Sequence, residues 1–570
     1  MKQQKKLLPV KSFSPLTLAV AMLVLTVAAA TTAEAQTFSV LYTFGSNTGD
    51  PYNTQYPGLI AQGRDGDLYS TSLFGGNLGG WGDVFTITPS GALTSIHSFS
   101  SAAGTGNEPP SGLVLGVDGN FYGTTKTGGA ATPAFGTVFK ITESGTLNTL
   151  YNFGTVQYPK TEGTFPIAPP VQGRDGNFYG TTPSSNDGKI DGIAYQLTSG
   201  GKRTLLYLFT TSGYNPQAPF ILGTDGNFYG TTAAGGKTTT SNCFASTMSC
   251  GTVFKMTPAG RVTFLYQFDQ VNGAEPLGPL VQATDGNFYG TTAAGGDANG
   301  DGLIFKLTSQ GKITILHKFN GTDGKQPTAG LVQASDGNFY GVASAGGANG
   351  FGTLFKVTSS GAFSVLHDFN STNDGANPEV TLVQHTNGIL YGDTVLGGSH
   401  NIGTFYSWDG ELPPFIKLVS TSGTAGTSIG ILGQGFTGTT SVLFNGSSAK
   451  FTVTADTYLT VTVPTAATTG TVTVTTPTGI LTSNQSFVVL PSITSFSPTS
   501  GKVATSVVIT GGGMTNASQV TFGGVKAATF TVNSTSKVTV TVPTGAKTGK
   551  IGIITPEGTA TSSGTFTVLP

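Results

Sequence analysis

Seven Asp-Gly or Asn-Gly turns, each set between apolar runs and recurring about every 50 residues, constrain this chain more than any other feature. They read GRDGDLYSTS from Gly63, GVDGNFYGTT from Gly116, GRDGNFYGTT from Gly173 and GTDGNFYGTT from Gly223. ATDGNFYGTT from Ala283, ASDGNFYGVA from Ala334 and HTNGILYGDT from His385 complete the set. Asp-Gly between two apolar runs predicts a tight β-hairpin whose two central residues both take positive φ. From Gly330 one unit parses as GLVQAS, turn, NFYGVAS, loop, GTLFKVT, turn, AFSVLHDFN, which is four antiparallel strands. Four short strands per repeat of this length predict propeller blades.

Strand counting then decides whether the array closes. The fourth strand follows six units, as LTSIHSFS, LNTLYNFG, RTLLYLFT, VTFLYQFD, ITILHKFN and FSVLHDFN. The seventh unit runs from GTFYSWDG straight into ELPP and lacks it. Its counterpart, FSVLYTF, stands at residues 38–44, ahead of the first unit. An open array would leave two blades with bare apolar faces. The sequence therefore predicts an all-β body over 36–411, a seven-bladed β-propeller closed by an N-terminal strand. A linear β-solenoid has no use for the displaced strand, and its periods are usually shorter.

Beyond Pro413-Pro414 the pattern changes to Thr/Val-rich strands without Asp-Gly hairpins. Two units, 412–490 and 491–570, align through SGTAGTSIGILGQGF with SGKVATSVVITGGGM, TVPTAATTG with TVPTGAKTG and FVVLP with FTVLP. Turn signals at this density predict two immunoglobulin-like sandwiches.

The first 35 residues carry a basic start, an apolar run from Pro15 to Ala30 and the small-residue site Ala33-Glu34-Ala35. They are expected to be a signal peptide, the alternative being an uncleaved anchor. The mature chain is then expected to lack a transmembrane segment and to be secreted, cell-surface or periplasmic. Charged residues are only 10% and apolar ones 37%, a balance unlike that of disordered chains. Seven Lys against Asp456 and Glu557 leave the C-terminal units positive and the 37–411 body acidic, which excludes nucleic acid as a natural partner. Cys243 and Cys250 are expected to form a local disulfide in an oxidising compartment.

Residues 415–570 resemble the IPT/TIG family through Gly-x-Gly, Phe-x-Gly and Thr-Val-Pro, which implies spacer or protein-contact modules. The DGNFYGTT, G-T-[VL]-F-K and L-[YH]-x-F phrases resemble the GloVer repeats of exported bacterial proteins. That resemblance implies no catalytic residues.

In such a ring the second-to-third loops and the blade-to-blade links share one face, and here they vary in sequence. Loops of varied content on a rigid frame are where binding usually lives. Ligand-face candidates are Trp81, Glu108, Tyr214, Glu275 and Glu379, with Tyr56 and Tyr158 as further aromatic platforms. Asp297, Asn299 and Asp301 alternate as in the start of a calcium loop, although Thr308 replaces the closing Glu of an EF-hand. Calcium is the only cofactor so suggested. His97, His317 and His367 occupy the place of Tyr151, Tyr207 and Tyr266 and are expected to pack. No catalytic set is legible. The function expected is a non-enzymatic binding or scaffold protein taking a protein or glycan outside the cell. The alternatives are an extracellular polysaccharide lyase or hydrolase and a structural adhesive protein.

Overall fold

The computed structural model describes residues 36–54, 58–100, 104, 106–110, 112–131, 134–154, 162–185, 191–210, 212–236 and 250–570. The expected leader, Tyr56, Tyr158 and Cys243 lie outside them. Phe38–Pro570 forms one compact unit, and its regular elements are strands.

Seven four-stranded sheets follow one another. The first is Ala61–Gln62, Leu68–Ser72, Asp83–Ile87 and Leu93–Ser98, paired in chain order. Five more repeat that plan. In the seventh, Val383–Gln384, Leu390–Asp393 and Thr404–Asp409 take Thr37–Thr43 as the outer strand. The opening fragment thus completes the last blade. Phe38 stacks on His367 of the sixth blade at 3.7 Å and on Tyr406 at 5.1 Å, so the borrowed strand is packed as well as paired.

The turn chemistry differs from the expectation in one respect. Only the Gly of each Asp-Gly pair has positive φ, for example Gly119 at 83°. Gly119 N–H donates to Gly116 O and Gly116 N–H to Asn120 O, a three-residue loop in which Gly takes the bulge position. The Asp is freed for other work. Asp118 Oδ1 accepts the Asn120 amide, while Oδ2 accepts the Asn120 side chain and the Tyr122 hydroxyl. The same set recurs on Asp175, Asp225, Asp285 and Asp336. The Lys that ends the third strand's F-K pair (Lys255, Lys306 and Lys356) adds a cation at Asp225, Asp285 and Asp336. The phrase D-G-N-F-Y is therefore one hydrogen-bonded unit.

Its Tyr and Phe also build the seams. Tyr69 stacks on Phe121, Tyr122 on Phe178, Tyr179 on Phe228, Tyr229 on Phe288 and Tyr289 on Phe339, with centroids 3.9–4.2 Å apart. Such pairs add roughly 1 kcal/mol each beyond their burial. At the two remaining seams the partner is Leu: Tyr340 shares a core with Leu390, and Tyr391 with Leu68. Ring closure is explicit, because Leu59 bridges Gly112 of the second blade on one side and Thr381 of the seventh on the other.

A second latch secures each seam. Gln62, Gln172, Gln282, Gln333 and Gln384 each accept a turn amide of the preceding blade, from Thr386, Val117, Thr224, Thr284 and Ser335 respectively. In the second and fourth blades the Gln is replaced by Leu115 and Leu222. There the preceding turn supplies an Arg that reaches forward, Arg64 to Val117 O and Arg174 to Thr224 O.

The C-terminal strands form two sandwiches of one plan. Lys417–Leu418, Ser428–Leu432, Tyr458–Thr462 and Lys450–Ala455 are matched by Ser492–Ser497, Ser506–Gly512, Lys537–Thr541 and Phe530–Ser534. In each, a short early strand pairs in parallel with the last, Ser422 with Val488 and Ser500 with Thr567. Both dock on the tight-turn face of the propeller. Thr457 Oγ1 donates to Arg64 O, Tyr458 stacks under the Arg64 guanidinium at 4.7 Å, and Phe415 N–H donates to Thr386 O. Arg174 binds Glu557 O of the second sandwich.

Candidate functional site

Docking on the turn side leaves the loop side to the propeller alone. A residue at the same place in each blade-to-blade link there takes a left-handed backbone: Asn53, Glu108, Phe165, Asn215, Glu275, Gln326 and Asn377, with φ between 54° and 61°. Outside glycine this conformation is sparsely populated and costs about 1 kcal/mol or more per residue, least for Asn. Six of the seven precede Pro, which disfavours the right-handed helical region without itself favouring the left-handed one; backbone hydrogen bonds to the adjacent loops hold them there. The Pro in turn lies against a glycine of the neighbouring blade; a Cβ at Gly251 (φ 89°) would come within 2.7 Å of Pro276 Cδ.

The ring residues tie adjacent loops together. Glu108 N–H donates to Trp81 O and its carbonyl accepts from Lys126. Glu275 links Cys250 O with the Ala293 amide, and Gln326 links Asp301 O with that of Ser344. Residues that look scattered in the sequence thus meet on one circle. Trp81, 38% exposed, touches Glu108 through its backbone; Tyr214 adjoins Asn215; Cys250 and Asp301 hold Glu275 and Gln326. Glu379 follows Asn377 by two residues and raises the pKa of Asp393 by its charge. Cys250 is fully buried and disulfide-bonded.

Glu379 and Asp393 lie close enough at the closing seam for their charges to interact, while the other two candidate glutamates are separated. Glu108 and Glu275 occupy equivalent positions three seams apart. Burial pushes Glu275 up to about 7. Asp393, fully buried, is pushed up to about 7 by the same cause against one hydrogen bond from Thr54. Asp83 is likewise raised to about 7 by burial, opposed by Ser95 and Ser98. The second oxygens of Asp83 and Asp393 have no hydrogen-bond partner. Among the described residues no group of three or more His, Cys, Asp or Glu is arranged to hold a metal. In the calcium-like loop, Asp297 Oδ1 already accepts the amides of Asn299, Gly300 and Asp301, so this oxygen closes the turn.

The histidines pack as expected. His317 stacks on Phe363 at 3.6 Å and pairs with Asp323, while His367 pairs with Asp374. His97 meets Phe99 edge-on. Tyr151, in the same place, donates to Glu162. His385 is buried at the closing seam, where its Nε2–H donates to Gly66 O.

That seam also holds a pocket of about 320 Å3 lined by Tyr52, Asn53, Phe74, Val395, Leu396 and Ile402. Tyr52 and Phe74 pair at 5.7 Å, Leu396 is 44% exposed, and the buried amide oxygen of Asn53 has no hydrogen-bond partner. The sequence reading missed this pocket. Its link is the one of the seven in which the ring residue is followed by Thr54 instead of Pro, and nothing in that pattern shows that this seam opens.

The Gloeobacter/Verrucomicrobia repeat profile matches residues 26–244, 156–332 and 241–454, and the IPT/TIG profile matches 491–568. No curated protein matches the sequence. Among solved structures, the chain is similar to the surface glycan-binding protein PbSGBP-B of Prevotella bryantii, with 21% identity and a TM-score of 0.19 over 27% of this chain. It spans only 41% of that protein. A copper-bound fungal alcohol oxidase of the AA5 family aligns over 80% of this chain and all of its own, at 14% identity and a TM-score of 0.45. The PQQ-bound aldose sugar dehydrogenase of Streptomyces coelicolor aligns over 55% of this chain and 95% of its own, at 12% and 0.35. At such identities and scores these likenesses carry no function across. The repeat profile alone spans well over half the sequence, and the chain belongs to the Gloeobacter/Verrucomicrobia repeat family, with an IPT/TIG domain at its C-terminal end.

Proposed function

We propose that this is an exported, non-catalytic binding protein whose loop-side face takes a glycan, with two sandwiches as spacer or contact modules. A leader of 1–35 would direct export, a 36–411 body would present the face, and sandwiches of 412–490 and 491–570 would back it. A Cys243–Cys250 disulfide would staple one of its loops. The observation that carries the reading is the seam pocket: an aromatic pair and aliphatic walls beside an unsatisfied amide, on the face left free by the sandwiches. Sugar C–H faces stack on aromatic rings, and their hydroxyls can satisfy the Asn53 oxygen. Glu108 and Glu275 stand three seams apart and do not form the close pair that glycoside hydrolysis needs.

Titration calorimetry of the mature chain against soluble polysaccharides and oligosaccharides tests this. Saturable binding is expected, weakened about tenfold or more by Tyr52→Ala or Asn53→Ala. Binding unchanged in both variants would discard the pocket. The raised pKa of Glu275 would suit a general acid and favours the enzyme alternative. Product release from a polysaccharide, abolished by Glu275→Gln, would replace the binding reading with that one.

A further inference from the structure

The first sandwich covers the axis of the ring on the turn side and bounds a half-open chamber of about 410 Å3. Its walls come from the inner strands, with Leu113, Leu331 and Leu382 among them, and sandwich residues Lys417, Asn484 and Gln485 line it as well. Lys417 faces the propeller because it alternates with Leu418, whose side chain enters the sandwich core.

No hydrogen bond or ion pair holds the Lys417 amine among the described residues. The inner-strand glutamines carry no charge, and the amides of Gln282 and Gln384 already serve the seam latches and turn carbonyls. The chamber lining offers this ammonium neutral side chains and no counter-charge, and burial lowers its pKa. A ligand anion would supply what the protein leaves out. One cation beside two neutral amides suits a single negative charge better than a phosphate dianion. The chamber shares Ile221, Val281, Gln282 and Gln485 with a side cleft of about 490 Å3 that runs to Glu557, which provides a way in.

We propose that this chamber binds a small organic carboxylate, its head on the Lys417 amine and its apolar body against the leucines of the inner strands. The site is separate from the loop-side pocket, and either can fail without the other. The test is calorimetry of the full mature chain with butyrate, hexanoate and octanoate, with hexanol and hexylamine as controls. Saturable binding of at least one carboxylate is expected, with neither control binding. Lys417→Met should weaken it about tenfold or more, and Lys417→Arg should retain it within a few-fold. Because Lys417→Met could disturb the docked sandwich, a second measurement uses the unaltered protein. Saturating carboxylate should slow reductive methylation of Lys417, read by peptide mass. Absence of carboxylate binding, equal binding of hexanol, equal affinity in Lys417→Met, or an unprotected Lys417 would each overturn the proposal and leave a solvent-filled void only.

Discussion

Arg174 and Glu557 are 383 positions apart in sequence, yet the guanidinium of one donates to the carbonyl of the other at 2.9 Å. The same guanidinium donates to Thr224 O at 2.6 Å. One side chain thus replaces a missing seam glutamine and anchors a sandwich. Arg64 does the same for the seam between the first two blades and for the other sandwich.

Arg174→Leu removes both contacts. Hydrogen bonds from a charged donor are worth about 1.5–3 kcal/mol when buried, and this half-exposed pair should give about 1–2. A lower Tm and faster proteolysis near residue 491 are expected. Arg174→Thr combined with Leu222→Gln rebuilds the seam latch alone, so the Tm should recover in part while the proteolysis stays fast. Full recovery of both would separate Arg174 from sandwich docking.

Phe38 tests the closing strand. Its ring stacks on His367 and Tyr406. Phe38→Ala should cost roughly 2 kcal/mol, below the ~3–5 of a fully buried Phe because its site is only half-buried. Removal of residues 36–46 should lower the Tm much further and promote association. Scanning calorimetry and light scattering read both, and an unchanged melt of the truncated chain would refute closure by this strand.

Asp393 gives the pH dependence a sign. Its folded pKa, about 7, lies above its unfolded value, so the folded state holds the proton more tightly. Its contribution is complete below about pH 4 and is lost as pH rises through 7. Asp393→Asn keeps the Thr54 hydrogen bond and removes the titration. The variant should match the parent at pH 4, exceed it at pH 8 by up to a few kcal/mol, and show a flatter Tm profile between. A difference of the same size at both pH values would mean that the carboxyl stays ionised in the fold. Asp83, raised by the same cause, leaves a residual slope.

Much of the architecture was legible because each level of the sequence repeats. Blade number, the four-strand unit and the displaced strand follow from counting D-G-N-F-Y phrases and their tails, and the histidines declared themselves by standing where tyrosines stand. The turn type did not follow, since Asp-Gly suits both a two-residue turn and a bulged three-residue one. The hydroxyl of Tyr122, reaching back to Asp118, favours the second. The loop-side circle was visible only as separate candidates. Trp81 and Glu108 meet through a carbonyl and an amide, which residue types do not encode. Arg64, Arg174 and Lys417 were illegible for a different reason. Their roles exist only once the sandwiches are docked, and no local pattern announces a surface made by chain segments hundreds of residues away.

Thr54 and Asp393 lie 339 residues apart and meet at the closing seam. Because the outermost strand of the last wedge precedes the first blade along the chain, it must wait, unpaired, until almost the whole circle exists. Contacts this distant carry a large loop-closure penalty and slow assembly. The join is therefore also the natural place for the circle to come undone, and a neighbouring copy offering its own free leading strand could complete it in exchange.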